Sequence, residues 1–211
     1  MQIEIWSDVI CPWCYIGKRR FEMALTEFPH RKNVNVIWRS FELDTNAPRR
    51  HEGTLDELLA RKYGTTPQEA AAMSERVTRI AGEVGLEYRL ADVKPGNTFD
   101  AHRLLHFAAA RQQGGRATER LMHAYFCEGL AVGDRAALAR LAPEFGITEK
   151  DALAMLESDA YSAEVRADEA RAKTFGVTGV PFFVINEKSG IAGAQPVAVF
   201  TESLQQAWEG A

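Results

Sequence analysis

The sequence predicts an α/β fold: a β-α-β unit opens the chain, an α-β-β-α unit closes it, and a large all-helical insertion lies between. Three observations point to it. Residues 2–41 hold two short apolar runs on either side of a helical pattern. Residues 54–160 show helix after helix and no strand pattern. Beyond residue 162 a helix is followed by strand-like Gly179-Val180-Pro181-Phe182-Phe183-Val184-Ile185. The 211 residues are 46% hydrophobic, enough for a sizeable core. Neither end has enough apolar surface to fold alone. The expectation is therefore one domain over 1–211, with a core of 1–45 plus 162–211 and a helical insert at 46–161.

Each element has a local reason. Ile3, Ile5 and Trp6 make residues 2–7 a buried strand. Phe21, Leu25 and Phe28 share one helical face, and Pro29 ends that helix. Val34, Val36, Trp38 and Phe41 mark a second strand, which a crossover helix would set parallel to the first. In the insert, Thr54 with Glu57 and Thr66 with Glu69 form capping-box patterns, the second followed by Pro67 at the first helical position. Met73, Val77, Ile80 and Val84 line up as the next buried face, with Gly85 as its C-cap. A helix over 99–113 should stop at Gly114-Gly115, with another over 117–128. Asp134 and Thr148 are expected N-caps. The closing unit runs from a helix over 162–175, ended by Gly176, through a strand entered by Pro181 and a short second strand over 190–194. A last helix over 197–208 should bury Phe200, Leu204 and Trp208.

Composition narrows the function classes. With 25 Lys and Arg against 29 Asp and Glu, the net charge of −4 argues against a general nucleic-acid binder. No apolar run approaches the roughly 18 residues of a membrane span. Met1 leads straight into the first strand, with no basic, then apolar, leader, so the expected location is the cytoplasm. Three cysteines in a chain of this length do not make a disulfide scaffold.

The chemistry concentrates at Cys11-Pro12-Trp13-Cys14, on a strand-to-helix junction. That placement reads as a redox pair. Cys11 would sit where unpaired helix N–H groups favour an anion, and the thiolate is the form that attacks disulfides. Cys14 lies one turn along the same face and could close a disulfide with Cys11. A structural zinc site would need two more ligands, and no second Cys-x-x-Cys exists, so no metal is expected. Cys127 reads as a small, partly buried hydrophobe. His102 and His106, four apart on a helix, read as hydrogen-bonding or substrate-facing groups rather than metal ligands. Lys18 reads as part of a solvated helix face.

Several blocks together resemble a known family. Ser7-Asp8-Val9-Ile10-Cys11-Pro12-Trp13-Cys14-Tyr15-Ile16-Gly17, Phe41-Glu42-Leu43-Asp44, Asn97-Thr98-Phe99-Asp100-Ala101-His102-Arg103, Gly176-Val177-Thr178-Gly179-Val180-Pro181-Phe182-Phe183 and Gly193-Ala194-Gln195-Pro196 are similar to the DsbA-like thioredoxin-fold oxidoreductases, in particular the FrnE-type cytoplasmic subgroup. The resemblance implies a thioredoxin fold with a helical insertion and an enzyme of thiol–disulfide exchange. Cys11 matches the family's nucleophile and Cys14 its resolving cysteine. Pro181 matches a proline that is cis in the family. Trp13, Val180 and Pro181 are expected to meet substrate. The implied partners are protein or small-molecule thiols and disulfides, with glutathione as a candidate co-substrate and no other cofactor. Oligomeric state is left open.

Two departures stand out. Trp13 occupies a place where exported members often carry His, so it cannot lend positive charge to a thiolate. Ile5 stands where many thioredoxin-fold enzymes have a buried acid, which leaves Asp8, Glu4 or water to take the Cys14 proton. Two other readings remain: a glutathione-dependent transferase or isomerase resembling the kappa class, and a redox-linked chaperone.

Overall fold

The computed structural model describes residues 1–210. These fall into two compact units, residues 1–43 with 166 onward, and residues 44–165. In chain order the first unit begins with β1 (Gln2–Ser7), α1 (Pro12–Glu27) and β2 (Asn35–Ser40). The second carries α2 (Leu55–Tyr63), α3 (Pro67–Gly82), α4 (Phe99–Ala109), α5 (Gly114–Glu128), α6 (Arg135–Leu141) and α7 (Glu149–Glu157). Then follow α8 (Ser162–Thr174), β3 (Phe182–Ile185), β4 (Ser189–Ala192) and α9 (Val197–Glu209). Among the described residues no helix is long and apolar enough to cross a membrane.

The four strands form one sheet in the order β2-β1-β3-β4. β1 and β2 are parallel, as a helical crossover requires, with Ile5 opposite Trp38. β3 runs antiparallel to β1, with Ile5 opposite Phe183, and a turn over Asn186–Lys188 returns β4 antiparallel to it. Alternation along β1 sorts its side chains. Ile3 and Ile5 enter a core with Phe21, Phe28, Phe183, Phe200 and Leu204, drawn from α1 and its C-cap, β3 and α9. The Phe183 and Phe200 rings meet edge-on at 4.7 Å, an arrangement that aromatic quadrupoles favour. Trp6 points to the opposite face, against Ala172, Val177 and Val184, and its indole N–H donates to the Asp168 carbonyl at 2.9 Å. Glu4 lies on that second face. It is fully buried, accepting from Arg39 Nε at 2.7 Å and from Arg171 Nε and Nη2 at 2.9 and 2.6 Å.

In residues 44–165 both capping boxes form, at Thr54 with Glu57 and Thr66 with Glu69. Asp134 and Thr148 cap α6 and α7. Three expectations need correction. The buried face of α3 is Ala70, Ser74, Val77 and Ala81, and Met73 is exposed. Small residues are what let α2 approach, and Ser74 Oγ donates to Asp56 of α2 at 2.7 Å. α3 ends at Gly82, so Gly85 (φ +75°) lies beyond the cap. Gly114 and Gly115 start α5 instead of stopping the preceding helix, which closes at Ala109. Arg103 of α4 is buried and donates to the carbonyls of Met155, Leu156, Ser158 and Ala160, closing the end of α7. Its charge is balanced by Asp100, 2.7 Å away.

Candidate active site

The site is built where β1 turns into α1. β1 ends at Ser7, and the Cys11 N–H donates to the Asp8 carbonyl at 3.1 Å, tightening the chain into a turn. Cys11 then has extended backbone (φ −84°, ψ 113°) and serves as the N-cap of α1, with Pro12 at the first helical position. No side chain caps this helix start. The helix N–H groups there are therefore left for whatever charge forms on Cys11. Cys14 follows one turn on, its N–H donating to the Cys11 carbonyl at 3.0 Å.

Both cysteines are free thiols, with Cys11 4% and Cys14 1% exposed. Burial pushes the Cys14 thiol well above its ordinary pKa, and the neighbouring Cys11 pushes it further. The Ser7 hydroxyl and the Asp8 backbone N–H act in the opposite direction, without overcoming burial. Cys14 thus holds its proton at neutral pH.

The loop before β3 completes the site. The Val180–Pro181 peptide is cis, and the Cys11 thiol donates to the Val180 carbonyl oxygen at 3.5 Å. Pro181 is buried against α1 at Gly17, where a Cβ would lie 2.9 Å from Pro181 Cγ and 3.5 Å from Ala194. Only a residue without a side chain admits this approach. Gly17→Ala gains about 1 kcal/mol of helix propensity and must displace the proline ring by a few tenths of an ångström. We expect a small change in thermal midpoint and a drop of roughly tenfold in kcat/KM for disulfide substrates. A variant as active as wild type would show that the loop's position is not critical. Trp13 projects outward, 41% exposed, beside the pair.

The other residues that the sequence singled out take the following places. Asp8 is fully buried but does not cap α1; its carboxylate accepts from the Leu43 N–H at 2.8 Å, tying the junction to the segment after β2. Glu4 is committed to Arg39 and Arg171 on the other sheet face. Lys18, expected on a solvated face, is instead 3% exposed and paired with Glu22 at 2.6 Å, one turn along α1. His102 is buried and His106 half-buried, both on α4, and Cys127 is half-buried near the end of α5. Among the described residues no group of three or more His, Cys, Asp or Glu is placed to hold a metal ion. Ser7 is the site residue that sequence reasoning passed over. Its place directly before the turn was the available signal.

Comparison with known proteins agrees with this architecture. A family model described as a DSBA-like thioredoxin domain matches residues 2–205. The crystal structure of a probable DsbA oxidoreductase from Streptomyces coelicolor is 43% identical, covers 100% of this chain and 91% of its own, and superposes with a TM-score of 0.95. Two more distant structures share the fold alone. A 2-hydroxychromene-2-carboxylate isomerase is 15% identical, with TM-score 0.74 over 100% of this chain and 97% of its own. The cytosolic disulfide reductase DsbM of Pseudomonas aeruginosa, solved with GSH, is 16% identical, with TM-score 0.66 over 99% and 100%.

Proposed function

The chain belongs to the DsbA-like thioredoxin-domain family, and on that premise we propose that it is a thiol–disulfide oxidoreductase with Cys11 as nucleophile and Cys14 as resolving thiol. One observation carries the reading. Cys11 is a free thiol at the uncapped start of α1, against the Val180 carbonyl, with Cys14 held protonated one turn on. That is the geometry of a pair whose members act in succession.

In the reducing direction the Cys11 thiolate attacks a substrate disulfide. One substrate sulfur bonds to Cys11 and the other leaves as a thiolate that takes up a proton. Cys14 then attacks Cys11, forming the internal disulfide and releasing the second substrate thiol. Oxidation of a substrate dithiol is the reverse. Trp13 supplies exposed apolar area for the substrate, and the Val180–Pro181 segment offers backbone to an extended chain. Glutathione is the small-molecule thiol we propose as co-substrate. The bound GSH of the DsbM structure supports that choice, as that enzyme's cytosolic setting supports a cytoplasmic location here.

The test is a trap. Reduced Cys14→Ser protein mixed with glutathione disulfide should accumulate one glutathionyl adduct, which peptide mass spectrometry maps to Cys11. The wild type should pass through the adduct to the Cys11–Cys14 disulfide. An adduct confined to Cys127, or none at all, would overturn the proposal.

A further inference from the structure

Resolution of the mixed disulfide needs a thiolate at Cys14, in a place that opposes charge. Cys14 is 1% exposed, and the two carboxylates the sequence offers it are engaged elsewhere: Glu4 by two guanidinium groups, Asp8 by the N–H groups of Leu43 and Ile10. Two polar groups are at hand, the Asp8 backbone N–H and the Ser7 hydroxyl, and of these the side chain is the one a substitution can remove. Ser7 closes β1, is 5% exposed, and its hydroxyl lies against Cys14, where it acts in the direction that favours the thiolate. With both cysteines as thiols, that hydroxyl closes no hydrogen bond. A buried hydroxyl without a partner is rare in a folded chain and calls for an explanation, of which a catalytic role is one. Ionisation of Cys14 provides it: a thiolate is a strong acceptor, and the orphaned O–H is a donor beside it.

We propose that the Ser7 hydroxyl donates a hydrogen bond to the Cys14 thiolate as it attacks the mixed disulfide, which makes Ser7 a catalytic residue of the resolving step. The role rests on the dithiol-exchange reading above. In that step an electron pair of Cys14 Sγ forms the bond to Cys11 Sγ. The Cys11–substrate S–S bond breaks, and its electrons leave with the substrate sulfur. The proton lost by Cys14 passes to solvent, and the departing thiolate takes one up. Ser7 keeps its own proton throughout and serves only to hold charge.

The pH dependence of this role differs from that of a packing residue. Removing the donor raises the pH at which Cys14 ionises. Below that pH the thiolate fraction falls about tenfold for each pH unit of displacement. Intrinsic nucleophilicity rises with basicity at a Brønsted slope of about 0.4–0.5, so the net loss is about three- to fourfold. Above both midpoints the sign inverts, and the variant becomes the faster enzyme. A merely structural defect would slow resolution at every pH.

Two measurements test this. In a Cys11→Ser, Cys127→Ser background Cys14 is the remaining thiol, and its thiolate absorbance can be followed against pH. Ser7→Ala should move the midpoint up by about one pH unit or more, and Ser7→Thr, which keeps the hydroxyl, should restore it. In the native-cysteine chain, rapid mixing with glutathione disulfide separates adduct formation from resolution. Ser7→Ala should leave the first phase unchanged and slow the second about three- to tenfold at pH 7, with the inversion at alkaline pH. A wild type that reduces no disulfide overturns the exchange reading and this role with it. A wild type that turns over, with Ser7→Ala titrating and resolving like its parent, overturns the role of Ser7 alone.

Discussion

Replacing both cysteines of the pair by serine is expected to bring disulfide exchange down to the rate of buffer alone, a loss of about 10³-fold or more. The whole covalent route passes through sulfur. A serine hydroxyl at position 11 is not ionised at neutral pH and forms no bond that a thiol can later exchange. The single variants should differ. Cys11→Ser removes the nucleophile and should match the double variant, because Cys14 is 1% exposed and burial keeps it protonated. Cys14→Ser should retain the first half-reaction and stall as a mixed disulfide. Excess glutathione can then resolve that adduct in place of Cys14, so partial turnover with glutathione substrates should survive. The same double variant separates exchange from a glutathione-dependent transferase or isomerase, in which a hydroxyl near position 11 would activate the glutathione thiol. Conjugation or isomerisation that persists after both substitutions, measured at steady state, would overturn the redox reading.

Much of this site was legible in the chain. The strand before Cys11, the helix after it and the proline before β3 each have a local cause: apolar alternation, a Pro compatible with the first helical turn, a Pro confined to the edge of a strand. The caps at Thr54, Thr66, Asp134 and Thr148 were legible for the same reason, since each is a bond between neighbours in sequence. Part of what escaped depends on partners far along the chain, and part on burial that local spacing does not set. Nothing near Asp8 indicates that its carboxylate will meet the Leu43 N–H, 35 residues on. Nothing near Lys18 distinguishes a buried ammonium paired to Glu22 from a solvated one, since the i,i+4 spacing suits both. The misreading of α3 has another origin. Hydropathy weights Met73 above Ala70 and Ser74, whereas close approach of two helices selects small side chains, and size does not register in apolar periodicity. Gly114-Gly115 erred through the ambiguity of glycine itself, which is compatible with either end of a helix.

Glu4→Gln is expected to be among the most destabilising isosteric changes in the chain, at about 3 kcal/mol near neutral pH. Glu4 is 1% exposed and sits mid-strand, accepting from Arg39 and Arg171. Both arginines reach it from the rim, with side chains 25% and 32% exposed, and each has a second acid, Asp168 for Arg39 and Glu187 for Arg171. Those second partners and the partial solvation place the loss at the lower end of the range for breaking a buried pair. The amide cannot neutralise two guanidinium groups, and it turns an N–H toward donors that need acceptors. The pH dependence follows from the same contacts. Burial alone would push the Glu4 carboxyl up, but the bonds from Arg171 and Arg39 outweigh it and hold the group below its ordinary 4.5. A carboxylate with a lowered folded-state value stabilises the fold above about pH 4.5, and that contribution disappears as pH falls through the lowered value. Wild type should therefore lose stability on acidification below about pH 4.5 more steeply than Glu4→Gln, and the two curves should converge at low pH. Asp100, held low against burial by Arg135 and Arg103, adds an acid-labile contribution of its own in residues 44–165 that the substitution leaves in place. Urea midpoints at a series of pH values measure the difference directly. Equal midpoints at pH 7, or parallel acid limbs, would show that the arginines are satisfied without Glu4 and that its burial contributes nothing to holding β1 against them.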